Sequence, residues 1–289
     1  MLFCGCKLDG CGELDVARLH KEMLWTTVRV RTLKSGGSGT VIWSGANANG
    51  KYHTYVLTCE HVVDDLIKIE KKWDEIAKVE RKMEVLGKPS VQIFYYENYS
   101  RCKGSSGEHR ANIVAYSKDD DIALLELERY ETPIRYVAHL YPRDELDKIH
   151  VFDEVYCVGA AMGHEPIATK GIISYMDEII DGKEYWMSTA QSIFGNSGGA
   201  VFRWSKERKR FEFLGMPARI TVAMFGFSAD AITHMGFFVP INRIYKFLEN
   251  NCYQFIYDPN YTFEKCQEMR KKKEEERKKM ILAMYGKVE

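Results

Sequence analysis

Three short segments hold side chains that could do chemistry together. Leu57-Thr58-Cys59-Glu60-His61-Val62-Val63 runs a strand-like stretch into a histidine. Asp119-Asp120-Asp121-Ile122-Ala123-Leu124-Leu125 sets acids directly before an apolar run. Phe194-Gly195-Asn196-Ser197-Gly198-Gly199-Ala200-Val201 embeds a serine in glycines and continues as a strand. A serine hydroxyl is a poor nucleophile until a neighbouring imidazole accepts its proton. The imidazole in turn needs a carboxylate to hold its tautomer and to stabilise the imidazolium that forms. Glycines beside the serine let the backbone turn so that amide N–H groups converge on a developing oxyanion. That set of roles is the chemistry of acyl transfer.

Gly195-x-Ser197-x-Gly199 also matches the nucleophile elbow of another hydrolase fold, in which a helix follows the serine and the histidine comes last. Here a glycine-rich, strand-like GGAVFRW follows, and the histidine downstream is His234, four residues past Asp230. The elbow reading is therefore set aside.

These side chains need a scaffold. The chain has 289 residues, near two domains on ordinary sizes and long enough to bury a core without disulfides or metals. Lys plus Arg number 41 and Asp plus Glu number 41, so the formal charge is zero. That balance argues against wholesale nucleic-acid or anionic-membrane binding. With 45% hydrophobic and 28% charged residues the composition is that of a globular protein. No apolar run approaches the roughly 18 residues of a membrane span, and the opening Met-Leu-Phe-Cys-Gly-Cys lacks the pattern of an ordinary signal peptide. The expectation is a soluble, cytoplasmic protein. Cys4, Cys6 and Cys11 cluster in a leader over 1–21, but three ligands at this spacing fall short of a structural zinc site. Free thiols, no metal and no cofactor are expected.

Short alternating runs punctuated by turn residues suggest an all-β architecture. They include WTTVRVRTL from Trp25, YHTYVLT over 52–58 after an Asn49-Gly50 hairpin signal, and IALLEL over 122–127. Ser35-Gly36-Gly37-Ser38-Gly39 reads as a turn. Leu66, Ile69, Trp73, Ile76 and Met83 recur at helical spacing among Lys and Glu, which predicts an amphipathic helix over about 64–86 ending at Gly87. Residues 131–147 read as a linker between β-rich halves at 22–130 and 148–250, with Ile241 to Asn250 as a closing helix. From Thr262 the chain carries nine basic and six acidic residues, with Glu274→Lys278 and Glu275→Lys279 pairs that favour a helix. A charged helical tail over 251–289 is expected, and its basic excess is the place where a nucleic acid or other charged partner could touch the chain.

The order His, Asp, Ser with these local sequences resembles the trypsin/chymotrypsin-like serine peptidases. Gly-Asn-Ser-Gly-Gly and His-Val-Val make the chain most similar to the HtrA/DegP branch, as do Gly39 before Thr40-Val41-Ile42, Gly159 through Gly163 with Thr169-Lys170-Gly171-Ile172-Ile173-Ser174, and Gly236-Phe237-Phe238-Val239-Pro240. Ala161 departs from the proline usual in that branch. The resemblance spans roughly residues 25–250. It implies a chymotrypsin-like double antiparallel β-barrel, two six-stranded barrels with the site in the cleft between them. It further implies His61 as general base, Asp121 as its orienter and Ser197 as nucleophile, with Gly195 and Ser197 N–H groups as oxyanion hole. Asp119 and Asp120 compete for the orienter's role, and Asp121 is preferred because it abuts the Ile-Ala-Leu-Leu strand.

Asn196 stands where trypsin-type zymogens carry the acid that receives a new N-terminal amine, so activity without N-terminal cleavage is expected. Gln191, six before the nucleophile, occupies the base of the substrate pocket in trypsins, which implies an uncharged, apolar side chain at P1; Gly215, Met235 and Gly236 are the further pocket candidates. The 39 residues after Asn250 are too few for the PDZ module of HtrA proteins. The functional expectation is a serine endopeptidase acting on polypeptides through an acyl-enzyme. The alternative is a catalytically silent scaffold that binds a protein partner.

Overall fold

The computed structural model describes residues 16–97, 101–128, 132–225 and 228–285. After a short helix α1 (Val16–Glu22), the first half folds as β1 (Thr27–Arg31), β2 (Gly36–Ala46), β3 (Tyr52–Thr58), β4 (Ile67–Asp74), β5 (Val79–Leu86), β6 (Ser90–Glu97), β7 (Arg101–Ser105), β8 (His109–Ser117) and β9 (Ile122–Leu127). Strands β1-β2-β3-β9-β8-β6 follow one another around a sheet that closes through a β1–β6 pairing, and β7 is added outside β6. This is a six-stranded antiparallel barrel. Val28, Val30, Val41, Val56, Leu124 and Leu125 are fully buried, and each such side chain contributes on the order of 2 kcal/mol by leaving water.

The second half contains β10 (His139–Leu140), β11 (Glu154–Gly159), β12 (Ile167–Ile180), β13 (Lys183–Ser188), β14 (Ala200–Ser205), β15 (Arg210–Phe225) and β16 (Ser228–Pro240). Here β15-β14-β11-β12-β13-β16 closes through β15–β16, with β10 on the outside. Phe202, Phe211, Phe213 and Phe238 fill its interior. Two six-stranded barrels are what the sequence resemblance implied. Ahead of the second barrel, the Ala138 N–H donates to Val41 O at 2.8 Å while His139 and Leu140 pair with β15, so this stretch is stitched to both barrels.

Helix α2 (Ile241–Asn250) buries Ile244, Tyr245, Phe247 and Leu248. Helix α3 (Phe263–Tyr285) buries only Phe263 and Cys266 and leaves its charged length in solvent. Its first turn is fixed by Phe263 against the rings of His53 and Trp43. No described helix is long and apolar enough to cross a membrane. Cys4, Cys6 and Cys11 lie outside the described residues.

Two expectations are corrected. The segment expected as a helix over 64–86 is a β-hairpin, β4 against β5, with Ile67 opposite Leu86 and Asp74 opposite Val79. The Asp74 carboxylate accepts the N–H groups of Ile76 and Ala77 at 2.8 and 3.1 Å, and Lys78 takes a positive φ of 53°. That is turn chemistry an aspartate promotes and the interior of a helix lacks. Val79, Met83 and Val85 lie half-buried on one face, while Ile69 and Trp73 point outward on the other, 72% and 54% exposed. Likewise Gly36 to Gly39 form no turn but open β2. A Cβ at Gly37 would lie 2.6 Å from Val62 and 2.8 Å from Ser197 O. Close approach, not chain reversal, demands that glycine.

Candidate active site

His61 sits in a short 3-10 turn, Glu60–Val62, at the end of β3. β3 pairs with β9 so that Thr58 faces Ala123, and continuing this antiparallel register brings Asp121 beside Glu60 and His61. The His61 Nδ1 lies 2.9 and 2.8 Å from the two Asp121 carboxylate oxygens, and its backbone N–H donates to Asp121 Oδ1 at 3.0 Å. Asp121 is buried and holds φ at +55°, a conformation aspartate tolerates and one that clusters at functional sites. Burial opposes charge on His61. The hydrogen bond and charge of Asp121, with Asp64 and Glu60 behind it, outweigh this and raise its pKa above the ordinary 6.5.

The neighbouring acids are occupied otherwise. Asp120 receives Arg243 of α2 and Lys183 of β13, each at 3.3 Å, and Asp119 is exposed. Arg243 is itself buried and also donates to the Asp120 and Glu184 carbonyls. A cation from the second barrel's closing helix therefore braces the residue next to Asp121.

The serine lies in the loop between β13 and β14, and a strand follows it, against the elbow alternative. Gly195 and Gly198 take φ of +95° and +86°. Each also lacks room for a side chain: a Cβ on Gly198 would stand 2.2 Å from Ser38 O, and one on Gly195 2.7 Å from Met162 N. Ser38 is the hub of this loop. Its N–H donates to Ser197 O at 2.8 Å, its hydroxyl to Gly195 O at 2.6 Å, and that hydroxyl accepts the Ala160 N–H at 2.7 Å. From below, the Gly198 N–H and the Cys59 thiol share Pro217 O, at 3.0 and 3.3 Å. Phe194 O is pinned by the Met162 N–H at 2.8 Å. Because a trans peptide directs its N–H opposite its C=O, the Gly195 N–H points the other way. Among the described residues, neither the Gly195 nor the Ser197 N–H has a protein acceptor.

The structure thus joins His61 to Asp121 directly and holds the Ser197 loop against the same β2–β3 end through Ser38 and Gly198. A direct Ser197 Oγ to His61 Nε2 hydrogen bond is not made in this arrangement, as is common before substrate binds. Ser38 was not singled out in the sequence, where the surrounding glycines masked it as a turn. Replacing it, Ser38→Ala, leaves the half-buried Gly195 carbonyl and the buried Ala160 N–H without these partners, an expected cost of about 1–3 kcal/mol. Thermal unfolding of this variant should show that loss together with a lower turnover; an unchanged melting temperature would argue against the hub.

Asn196 is buried, its side-chain amide N–H reaching Cys157 Sγ at 3.6 Å. Of the pocket candidates, Gly236 faces Ser192, whose Cβ lies 2.9 Å from a Cβ built on that glycine. Met235 is half-buried beside it, and Gln191 is exposed, its carbonyl accepting the Thr169 hydroxyl at 2.7 Å. Gly215 is placed elsewhere: it lies in the β15 wall, its open side filled by Phe238 and Val239 O. Buried Ser192 was missed. Cys59, His61 and Asp121 also bring ligand-type atoms within 4.8 Å of one another. Burial first, then the Asp121 charge, pushes the Cys59 thiol well up, and the thiol donates to Pro217 O at 3.3 Å.

A sequence model of the trypsin-like peptidase domain matches residues 37–208, more than half of the chain and all three candidate catalytic segments. The chain belongs to the trypsin-like peptidase family. No curated protein matches it in sequence. Solved structures similar to this trypsin-like peptidase include the serine endoprotease from Yersinia pestis, at 19% identity and a TM-score of 0.51, with 84% of this chain and 67% of that one covered. An HtrA-type protease, AlgW with tripeptide, aligns at 19% identity and a TM-score of 0.53, with 83% of this chain and 63% of that one covered. At this identity the likeness is one of fold, and the peptidase spans about two thirds of those longer chains.

Proposed function

We propose that this trypsin-like peptidase is a serine endopeptidase in which His61, Asp121 and Ser197 form the triad. The reading is carried by one observation: the His61–Asp121 pair and the Ser197 loop, with two unclaimed N–H groups, are gripped by the same end of the first barrel. Ser197 Oγ attacks the scissile carbonyl carbon as His61 Nε2 takes its proton. The Gly195 and Ser197 N–H groups receive the oxyanion. Collapse breaks the C–N bond, His61 protonates the leaving amine, and an acyl-enzyme remains. Water then attacks with His61 again as base, and release of the acid restores Ser197. Asp121 holds the imidazole with Nδ1 protonated throughout. Neutral Gln191 and the close Ser192–Gly236 contact favour an uncharged, apolar P1 side chain. The described cysteines are all free thiols, which suits the cytoplasm.

Fluorophosphonate labelling across pH tests this reading. Neutral His61 is the active base, so the labelling rate should rise through a midpoint above 6.5 and vanish in Ser197→Ala. Stability runs the opposite way. The raised pKa stabilises the folded state fully below the unfolded-state value, and this is lost as pH climbs through the folded one. A folded protein that takes no label at any pH sinks the proposal, and a peptide library cleaved after Lys or Arg would overturn the apolar P1.

A further inference from the structure

A cleft of about 190 Å³ opens beside the oxyanion glycine, lined by Arg29, Arg31, Gly37, Met162, Phe194 and Gly195. It shares Gly195 with the proposed oxyanion pair and nothing with Gln191, Ser192, Met235 or Gly236. It is therefore separate from the P1 candidates. Gly37 abuts both Ser197 O and Val62, the neighbour of His61, so the cleft flanks the base that would protonate the leaving amine.

Two cations face this space. Arg29 and Arg31 stand two apart on β1 and so share a face. Arg29 is anchored: its Nε donates to Gln92 Oε1 at 2.7 Å, another N–H donates to Gly163 O, and its guanidinium lies 5.4 Å from the Phe94 ring centre. Burial and then the charge of Arg31 lower its pKa, against a partial offset from Glu165 and Glu108. Arg31 is exposed, its backbone is paired within the barrel, and its guanidinium has no hydrogen bond or ion pair among the described residues. Its Nη2 comes within 3.8 Å of a Cβ built on Gly163, which places the guanidinium over the 160–163 loop at the cleft mouth. Met162 and Phe194, 66% and 65% exposed, offer apolar surface for an aliphatic stem. A free guanidinium beside a second, fixed one is an arrangement that a carboxylate completes.

We propose that Arg31, backed by Arg29, makes this cleft a subsite for an acidic side chain on the leaving-group side of the scissile bond. The inference rests on the endopeptidase reading and names a substrate class for it. Matched quenched peptides sharing one acyl half, with Glu, Gln or Lys at each of the first three leaving-group positions, test it. At one position Glu should exceed Gln in kcat/KM by about tenfold, with Lys lower still. Arg31→Gln should bring the Glu-to-Gln ratio near one, Arg31→Glu should reverse it towards Lys, and Arg31→Lys should restore part of it. The wild-type ratio should shrink as salt shortens the screening length from about 10 Å at 0.1 M to about 3 Å at 1 M. Equal rates for Glu and Gln at all three positions overturn the subsite while leaving the peptidase reading intact. Fluorescence anisotropy of Ser197→Ala with labelled peptides separates the converse. Glu-favoured binding that depends on Arg31, from a wild type that cleaves nothing, keeps the subsite and removes the endopeptidase. Binding blind to charge, with no cleavage, removes both.

Discussion

Replacing Ser197 and His61 together is expected to cost no more than replacing Ser197 alone. Each single alanine variant should lower turnover on the order of a millionfold, because nucleophile and base act as one unit: without the base the hydroxyl keeps its proton, and without the hydroxyl the base has nothing to deprotonate. Adding two such losses would require about 10¹²-fold, more than is left once the oxyanion donors retain their share of roughly 10³–10⁴ over water. The proposed donors sit on the Gly195–Ser197 backbone, which Ser38 holds through two hydrogen bonds, and alanine at 197 preserves that backbone. Residual hydrolysis by Ser197→Ala, His61→Ala and the double variant, on the best library peptide, measures this. Losses that simply multiply would break the unit apart.

Asp121→Asn is the second large effect, a fall of about 10⁴ in turnover with the fold intact. Asparagine also tolerates the +55° φ of this position, and its carbonyl oxygen can still accept the His61 backbone N–H. An amide N–H facing His61 Nδ1, however, forces that nitrogen to be the acceptor, which puts the ring proton on Nε2, where the nucleophile's proton should go. Asp119→Asn should be nearly silent, because that side chain is exposed. Asp120→Asn should weaken the Arg243 and Lys183 contacts and lower stability more than turnover. Steady-state rates beside thermal unfolding for the three variants decide it. Should Asp119→Asn prove the most damaging, the assignment of Asp121 fails.

Much of this was legible in the sequence because local patterns carried it. Strand-like runs rich in apolar and β-branched residues marked β3 and β9 to the residue, since each is buried along most of its length. The three segments of the proposed triad stood out because acyl transfer restricts both the residue types and their glycine neighbours. The β4–β5 hairpin was not. Its apolar residues are split between two faces, Ile69 and Trp73 on one and Val79, Met83 and Val85 on the other. Taken across both strands and the turn, Leu66, Ile69, Trp73, Ile76 and Met83 imitate helical spacing; counted strand by strand the apolar residues alternate, on either side of an Asp74 turn. Ser38 was hidden for a different reason. Its partners, Gly195, Ser197 and Ala160, lie more than a hundred residues away, and nothing local in a serine between glycines announces a long-range hydrogen bond. The pocket candidates do not stand together: Gly236 meets Ser192, while Gly215 packs against Phe238 and Val239 O in a barrel wall.

The division of the site between two barrels has a consequence for how the molecule is made. His61 and Asp121 belong to the first barrel, while Ser197 follows seventy-six residues after Asp121. At typical synthesis rates of 5–20 residues per second, roughly four to fifteen seconds separate their emergence. During that interval the growing chain carries the proposed base and its partner with no nucleophile for them to activate. Even once Ser197 has emerged, its loop stays unfixed until the second barrel brings Gly195 and Ala160 to Ser38. On the proposed mechanism, cleaving power is the last property the chain acquires, and a half-made copy is harmless to itself and to its neighbours.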